Sequence, residues 1–134
     1  MAKNRNRSAG NGYELTTAHR LRECGYPEAA STRECNKARD NKKVDICNRN
    51  EGDEGEGRMP FNIQCKNLCT NANYVKILQE MEKHNGTKRP NIVLHKKTKK
   101  VGTKFMPEGE YAIMSAESFY ELLVKFNKLC KEGQ

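Results

Sequence analysis

Three residues in the first half of the chain are of types that, brought together, do phosphate chemistry: Asp45, Gln64 and Lys66. Gln64 and Lys66 sit two apart in the run Phe61-Asn62-Ile63-Gln64-Cys65-Lys66. That run alternates apolar and polar, so a strand carries Phe61, Ile63 and Cys65 on one face and Asn62, Gln64 and Lys66 on the other. Val44-Asp45-Ile46-Cys47 alternates in the same way and sets Asp45 on the face opposite Val44 and Ile46. If Asp45 faces as Gln64 and Lys66 do, a carboxylate, an amide oxygen and an ammonium converge. The two oxygens are hard ligands of the kind Mg²⁺ takes. A Mg²⁺ ion stabilises charge on a phosphate oxygen and acidifies its water, and a lysine offsets the charge that builds at phosphorus. This is the equipment of phosphodiester hydrolysis; the plainer alternative is a solvated polar sheet face.

The surrounding elements have to position these side chains. Residues 1–11 are polar and basic and read as a flexible arm, with residues 12–134 as a single domain. Leu15, Ala18, Leu21 and Cys24 recur at helical spacing between Gly12 and Gly25, with Gly25 as the stop. An extended segment follows Pro27 through Ser31, Thr32 and Arg33, then a basic polar stretch over 36–43. The two alternating runs flank an acidic, glycine-rich loop over 49–58, which makes an antiparallel hairpin of them. A second helix is expected over 71–84, with Tyr74, Ile77, Leu78 and Met81 as its buried stripe and Asn85-Gly86 as its end. Residues 90–94 read as a strand running into the basic segment 95–100; a Gly/Pro loop, a strand over 111–114 and a last helix capped by Ser115 follow. That helix sets Phe119, Leu122, Leu123, Phe126 and Leu129 on one side, either to pack on the sheet or to meet a second subunit. The layout is α/β with a mixed central sheet flanked by helices.

Val44-Asp45-Ile46 followed by Ile63-Gln64-Cys65-Lys66 resembles the signature of the PD-(D/E)XK nuclease superfamily: an Asp at the end of one strand and acid-x-Lys on the next. Within it the chain looks most like the archaeal-type and phage Holliday junction resolvases. The first helix, with Gly12-Tyr13-Glu14 and then Gly25-Tyr26, and Ser31-Thr32-Arg33 ahead of the Asp, match that group's pattern. The resemblance spans roughly residues 8–124. It implies a restriction-endonuclease-like αβββαβ core, with Glu14, Asp45 and Gln64 holding Mg²⁺ (Mn²⁺ substituting) and Lys66 as the catalytic lysine. It also implies Ser31 and Arg33 near the scissile strand, and a homodimer whose two sites cut a four-way junction symmetrically. The departure is Gln64, neutral where the family pattern has an acid, which weakens metal affinity and leaves open a protein that binds DNA without cutting it.

Charge supports an acidic partner. The 134 residues hold 25 Lys and Arg against 17 Asp and Glu, a net charge of +8. Residues 83–104 carry Lys96, Lys97, Lys99 and Lys100 among their bases and no acid at all. With Arg5 and Arg7 of the arm and Arg33, these are the expected contacts to branched or duplex DNA. No apolar run approaches the roughly 20 residues of a membrane span, and no leader pattern follows the basic N-terminus. The expected compartment is therefore the cytoplasm of a bacterial, archaeal or phage-infected cell. The six cysteines include no C-x-x-C pair and read as free thiols, with a zinc protein as the rival. The other rivals are a nicking or restriction-like nuclease of the same superfamily and a non-catalytic DNA-binding protein that kept the fold.

Overall fold

The computed structural model describes residues 5–50 and 59–133, with side chains from residue 12 onward. A five-stranded mixed sheet, in the order β1-β2-β3-β4-β5, carries the helices. In chain order the elements are α1 (Arg5–Glu23), β1 (Ala29–Ser31), α2 (Thr32–Cys35), α3 (Lys37–Asn41), β2 (Ile46–Asn48), β3 (Asn62–Leu68), α4 (Tyr74–Asn85), β4 (Asn91–Val101), β5 (Lys104–Ile113) and α5 (Ala116–Glu132). Only β3 and β4 run parallel, joined through α4; the other neighbours are antiparallel. Among the described residues no helix is long and apolar enough to cross a membrane.

The stop of α1 lies where the sequence sets it. Gly25 takes φ 107°, the Tyr26 N–H donates to Leu21 O at 3.0 Å and the Gly25 N–H to Arg22 O at 3.2 Å. This pair of bonds closes a helix on a left-handed residue, a conformation glycine adopts without steric cost. The start differs: α1 opens at Arg5, inside the stretch expected to be a free arm. Its buried face differs too. Tyr13, Glu14, Thr17 and Ala18 turn inward, while Leu15 and Cys24 are exposed. Tyr13 and Ala18 pack with Ala29, Ile46, Met59, Ile63 and Cys65 on one side of the sheet, and Leu21, Tyr26, Phe61 and Leu94 close its edge.

Asn62 lies on the other side, in a buried chain of hydrogen bonds. Arg39 Nη2 donates to Asn62 Oδ1 (2.8 Å), Asn62 Nδ2 to Asn91 Oδ1 (2.9 Å), and Asn91 Nδ2 to Gly86 O (3.0 Å). The polar stretch over 36–43 is helical in part, because the Asn36 side chain caps α3 by accepting from the Arg39 N–H. Thr32 and Arg33, expected in an extended segment, open the short helix α2. In α4 only Met81 is fully buried, and Tyr74, Ile77 and Leu78 are half-buried.

The C-terminal third departs furthest from expectation. The basic run over 95–100 continues β4, which reaches Val101, and most of the stretch expected as a Gly/Pro loop before 111 is strand: β5 returns from Lys104 around Gly102, which sits at φ 63°. The register shifts between Lys97 and Thr98. Ser115 does cap α5, accepting from the Ser118 N–H at 3.1 Å. Yet among the described residues α5 has none fully buried, and Leu122 of the expected apolar side is half-buried while Phe119, Leu123, Phe126 and Leu129 are exposed.

Candidate active site

Asp45 stands one residue ahead of β2, fixed by its backbone: its N–H donates to Ile63 O at 2.7 Å and its carbonyl accepts from the Thr32 N–H at 2.9 Å. Its Oδ2 accepts from the Cys65 N–H at 2.7 Å, which leaves the side chain bridging β2 and β3. Gln64 and Lys66 flank Cys65 on β3, and strand alternation turns them away from the thiol that packs into the core. Glu14 reaches the same place from α1. Its Oε2 accepts from Ser31 Oγ at 3.3 Å, and its Oε1 lies 3.4 Å from Arg33 Nη2.

Glu14, Arg33, Asp45, Gln64 and Lys66 thus line one open cavity of about 320 Å³, and Ser31 stands behind Glu14. The cavity also takes in Asp40 and Lys43, which sequence reasoning passed over. A signal existed, since Asp40 is the sole acid of the stretch 36–43. Asp40 Oδ1 accepts from Thr32 Oγ1 at 3.2 Å, and Lys43 takes a left-handed turn, φ 67°, immediately before Val44-Asp45.

The electrostatics follow from burial. Loss of water pushes the Glu14 carboxyl up to about 7; the Asp45 charge adds to this, and Arg33 and the Ser31 hydroxyl hold it back. Asp45 is also raised, first by burial, against the opposing pull of the Cys65 N–H; Asp40 raises it further, and Lys66 and Arg33 lower it. The Cys65 thiol is pushed far up by burial and then by Asp45, so it stays protonated and acts as core.

A bound cation would relieve the desolvation and mutual repulsion that raise both carboxyls. Among the described residues no group of three or more His, Cys, Asp or Glu could hold a metal ion; the Gln64 amide lines the same cavity as Glu14 and Asp45. The residues present fit a Mg²⁺ ion in kind, with Glu14, Asp45 and Gln64 as its holders.

The basic residues divide. Lys96 and Lys97 pair with Asn67 and Leu68 at the end of β3, beside the cavity, and alternation sends them to opposite faces. Lys99 and Lys100 lie further out on the β4–β5 hairpin, beyond β3, and are exposed. Arg5 and Arg7 fall in the first turns of α1, with side chains outside the described residues. Lys3 and the acidic residues of the loop at 51–58 lie outside the described residues as well.

Compared with known proteins, the chain has no match among family models, curated proteins or solved structures.

Proposed function

We propose that this protein is a Mg²⁺-dependent, structure-selective DNA endonuclease, a resolvase of four-way junctions built on a restriction-endonuclease-like core. The observation that carries the reading is the meeting of Glu14, Asp45, Gln64 and Lys66 in one open cavity, although they come from α1, the approach to β2, and β3. The order of elements is compatible with the αβββαβ order the resemblance implies once the short helices α2 and α3, set between β1 and β2, are taken as an insertion.

In this reading Mg²⁺, when bound, supplies charge stabilisation at the scissile phosphate and an acidified water. Glu14, Asp45 and the Gln64 amide hold the ion. Lys66 makes no ion pair among the described residues, so its ammonium is free to donate to the phosphate oxygen on which charge builds. Arg33 has a second duty beyond Glu14, because its half-exposed guanidinium faces the cavity mouth where a backbone phosphate would enter. Two symmetric cuts need two sites, so the reading carries a homodimer with it.

A labelled four-way junction and a linear duplex of the same sequence, each incubated with Mg²⁺, test the substrate class. Paired nicks in the junction at concentrations that spare the duplex are expected. Equal cutting of both points to a nicking or restriction-like enzyme. Gln64 favours one other reading, a protein that binds branched DNA without cutting it; tight junction binding with no Mg²⁺-dependent product would establish that one.

A further inference from the structure

The six cysteines are scattered along the chain, and the fold brings two of them into contact. Cys35 ends α2, and Cys47 is the middle residue of β2, twelve positions further on. Their Sγ atoms lie 2.9 Å apart as a pair of thiols. A disulfide holds its sulfurs about 2.0 Å apart, so roughly one ångström of approach separates this pair from a bond. Both side chains are set by what surrounds them. Strand alternation turns Cys47 away from Ile46, which belongs to the core cluster beneath α1. On that other side Cys47 is fully buried. The Cys35 thiol donates to Ser31 O at 3.3 Å, which holds it over the start of α2.

The two differ in access, and access orders the chemistry. Cys35 is half-buried and meets solvent, whereas Cys47 has no exposed surface. A reagent from solution therefore reaches Cys35 first, and Cys47 is placed to attack whatever Cys35 has bound. The segment enclosed between them supplies Asp40, Lys43 and Asp45 to the cavity. A bond between the two sulfurs would close a covalent ring around that wall of the site.

We propose that Cys35 and Cys47 form a dithiol that small disulfides such as oxidised glutathione convert, reversibly, to an intramolecular disulfide. The Cys35 thiolate attacks one sulfur of oxidised glutathione; a mixed disulfide forms, and one glutathione leaves as its thiolate. Cys47 gives its proton to solvent and attacks Cys35 Sγ, and the second glutathione leaves. The two protein thiols lose two electrons and two protons, and oxidised glutathione takes up both to become two glutathione thiols. The inference rests on the two sulfurs and holds whether or not the nuclease reading does.

Peptide mapping of the full chain tests it. Lys37, Arg39, Lys42 and Lys43 lie between the two cysteines, so trypsin parts them unless a bond joins them. Folded, reduced protein is incubated with oxidised glutathione, its remaining thiols are blocked, and it is digested. The expected product is a linked pair of peptides holding Cys35 and Cys47, two hydrogens lighter than their sum and lost on treatment with dithiothreitol. Cys47→Ala should stop at a mixed disulfide on Cys35, and Cys35→Ala should leave Cys47 unmodified. The variant Cys24→Ser/Cys69→Ser/Cys130→Ser removes the three exposed thiols from the stability comparison. Oxidation of that variant should raise Tm by about 5–10 °C and slow amide exchange over 36–46. A wild type that halts at the mixed disulfide, or that links Cys35 or Cys47 to another cysteine, overturns the inference. So does a link that forms only in denaturant, or an oxidised chain that melts below the reduced one.

Discussion

Glu14 is the residue on which burial acts most usefully. Its carboxyl titrates near 7 in the fold against 4.5 for the free side chain. Between those values the folded protein keeps a proton that the unfolded chain has lost, so this group's contribution to stability falls as pH rises through the interval and stays lost above 7. Glu14→Gln removes the ionisation. Denaturant unfolding should find the variant similar to wild type at pH 4 and more stable at pH 8, by up to about 3 kcal/mol. The same logic makes cation binding compete with a proton. Mg²⁺ should raise the wild-type Tm more at pH 8 than at pH 6, and Asp45→Ala should abolish the rise. Gln64 is the weak member of the set, and Gln64→Glu restores a carboxylate. That variant should nick a junction at lower Mg²⁺ than wild type; loss of cutting would mean that the neutral amide is required.

At the scale of elements, several local stop, cap and alternation signals were legible, though the Asn36 cap and the Gly102 turn were not. Gly25 ends α1, Ser115 caps α5, and the alternation in 61–66 predicts which side of β3 meets the core. Gly25→Ala would meet no atom within 4 Å, so its cost is conformational, about 1 kcal/mol by chemical denaturation. The face of α1 was not legible, for a physical reason. Apolar spacing favours Leu15 and Cys24, but the helix turns Glu14 and Thr17 inward, where Ser31 Oγ donates to Glu14 Oε2 and Arg33 lies beside Oε1. Helical periodicity read from apolarity alone fails where polar groups are buried. The hairpin was hidden differently. The lysines from Lys96 to Lys100 carry no alternation, and it is the pairing with β5 that makes them strand. Beside them His95 is fully buried, with Tyr74 Oη at Nδ1 and Leu68 O at Nε2. Tyr74→Phe leaves the ring nitrogen unpartnered and should cost about 1–3 kcal/mol, read as a lower Tm.

Over the whole molecule, the excess charge and the cavity belong to one account. In the proposed reading the net charge of +8 would offset the repulsion that a phosphate meets on approaching Glu14, Asp40 and Asp45. Lys96 and Lys97 border the cavity through the end of β3, while Lys99 and Lys100 extend the positive charge outward along the hairpin. Junction affinity should fall linearly with log salt, and replacing both Lys99 and Lys100 by Ala should reduce that slope by up to about 0.9 for each phosphate contact removed. Binding of this kind reads backbone geometry rather than base edges. The central claim is that Asp45 and Lys66 act on a scissile phosphodiester. It is tested most directly by Mg²⁺-dependent nicking of a labelled four-way junction by wild type, Asp45→Ala and Lys66→Ala, with binding measured alongside. The account predicts that both variants lose the paired nicks and still bind the junction; cutting by Asp45→Ala at the wild-type rate would contradict it.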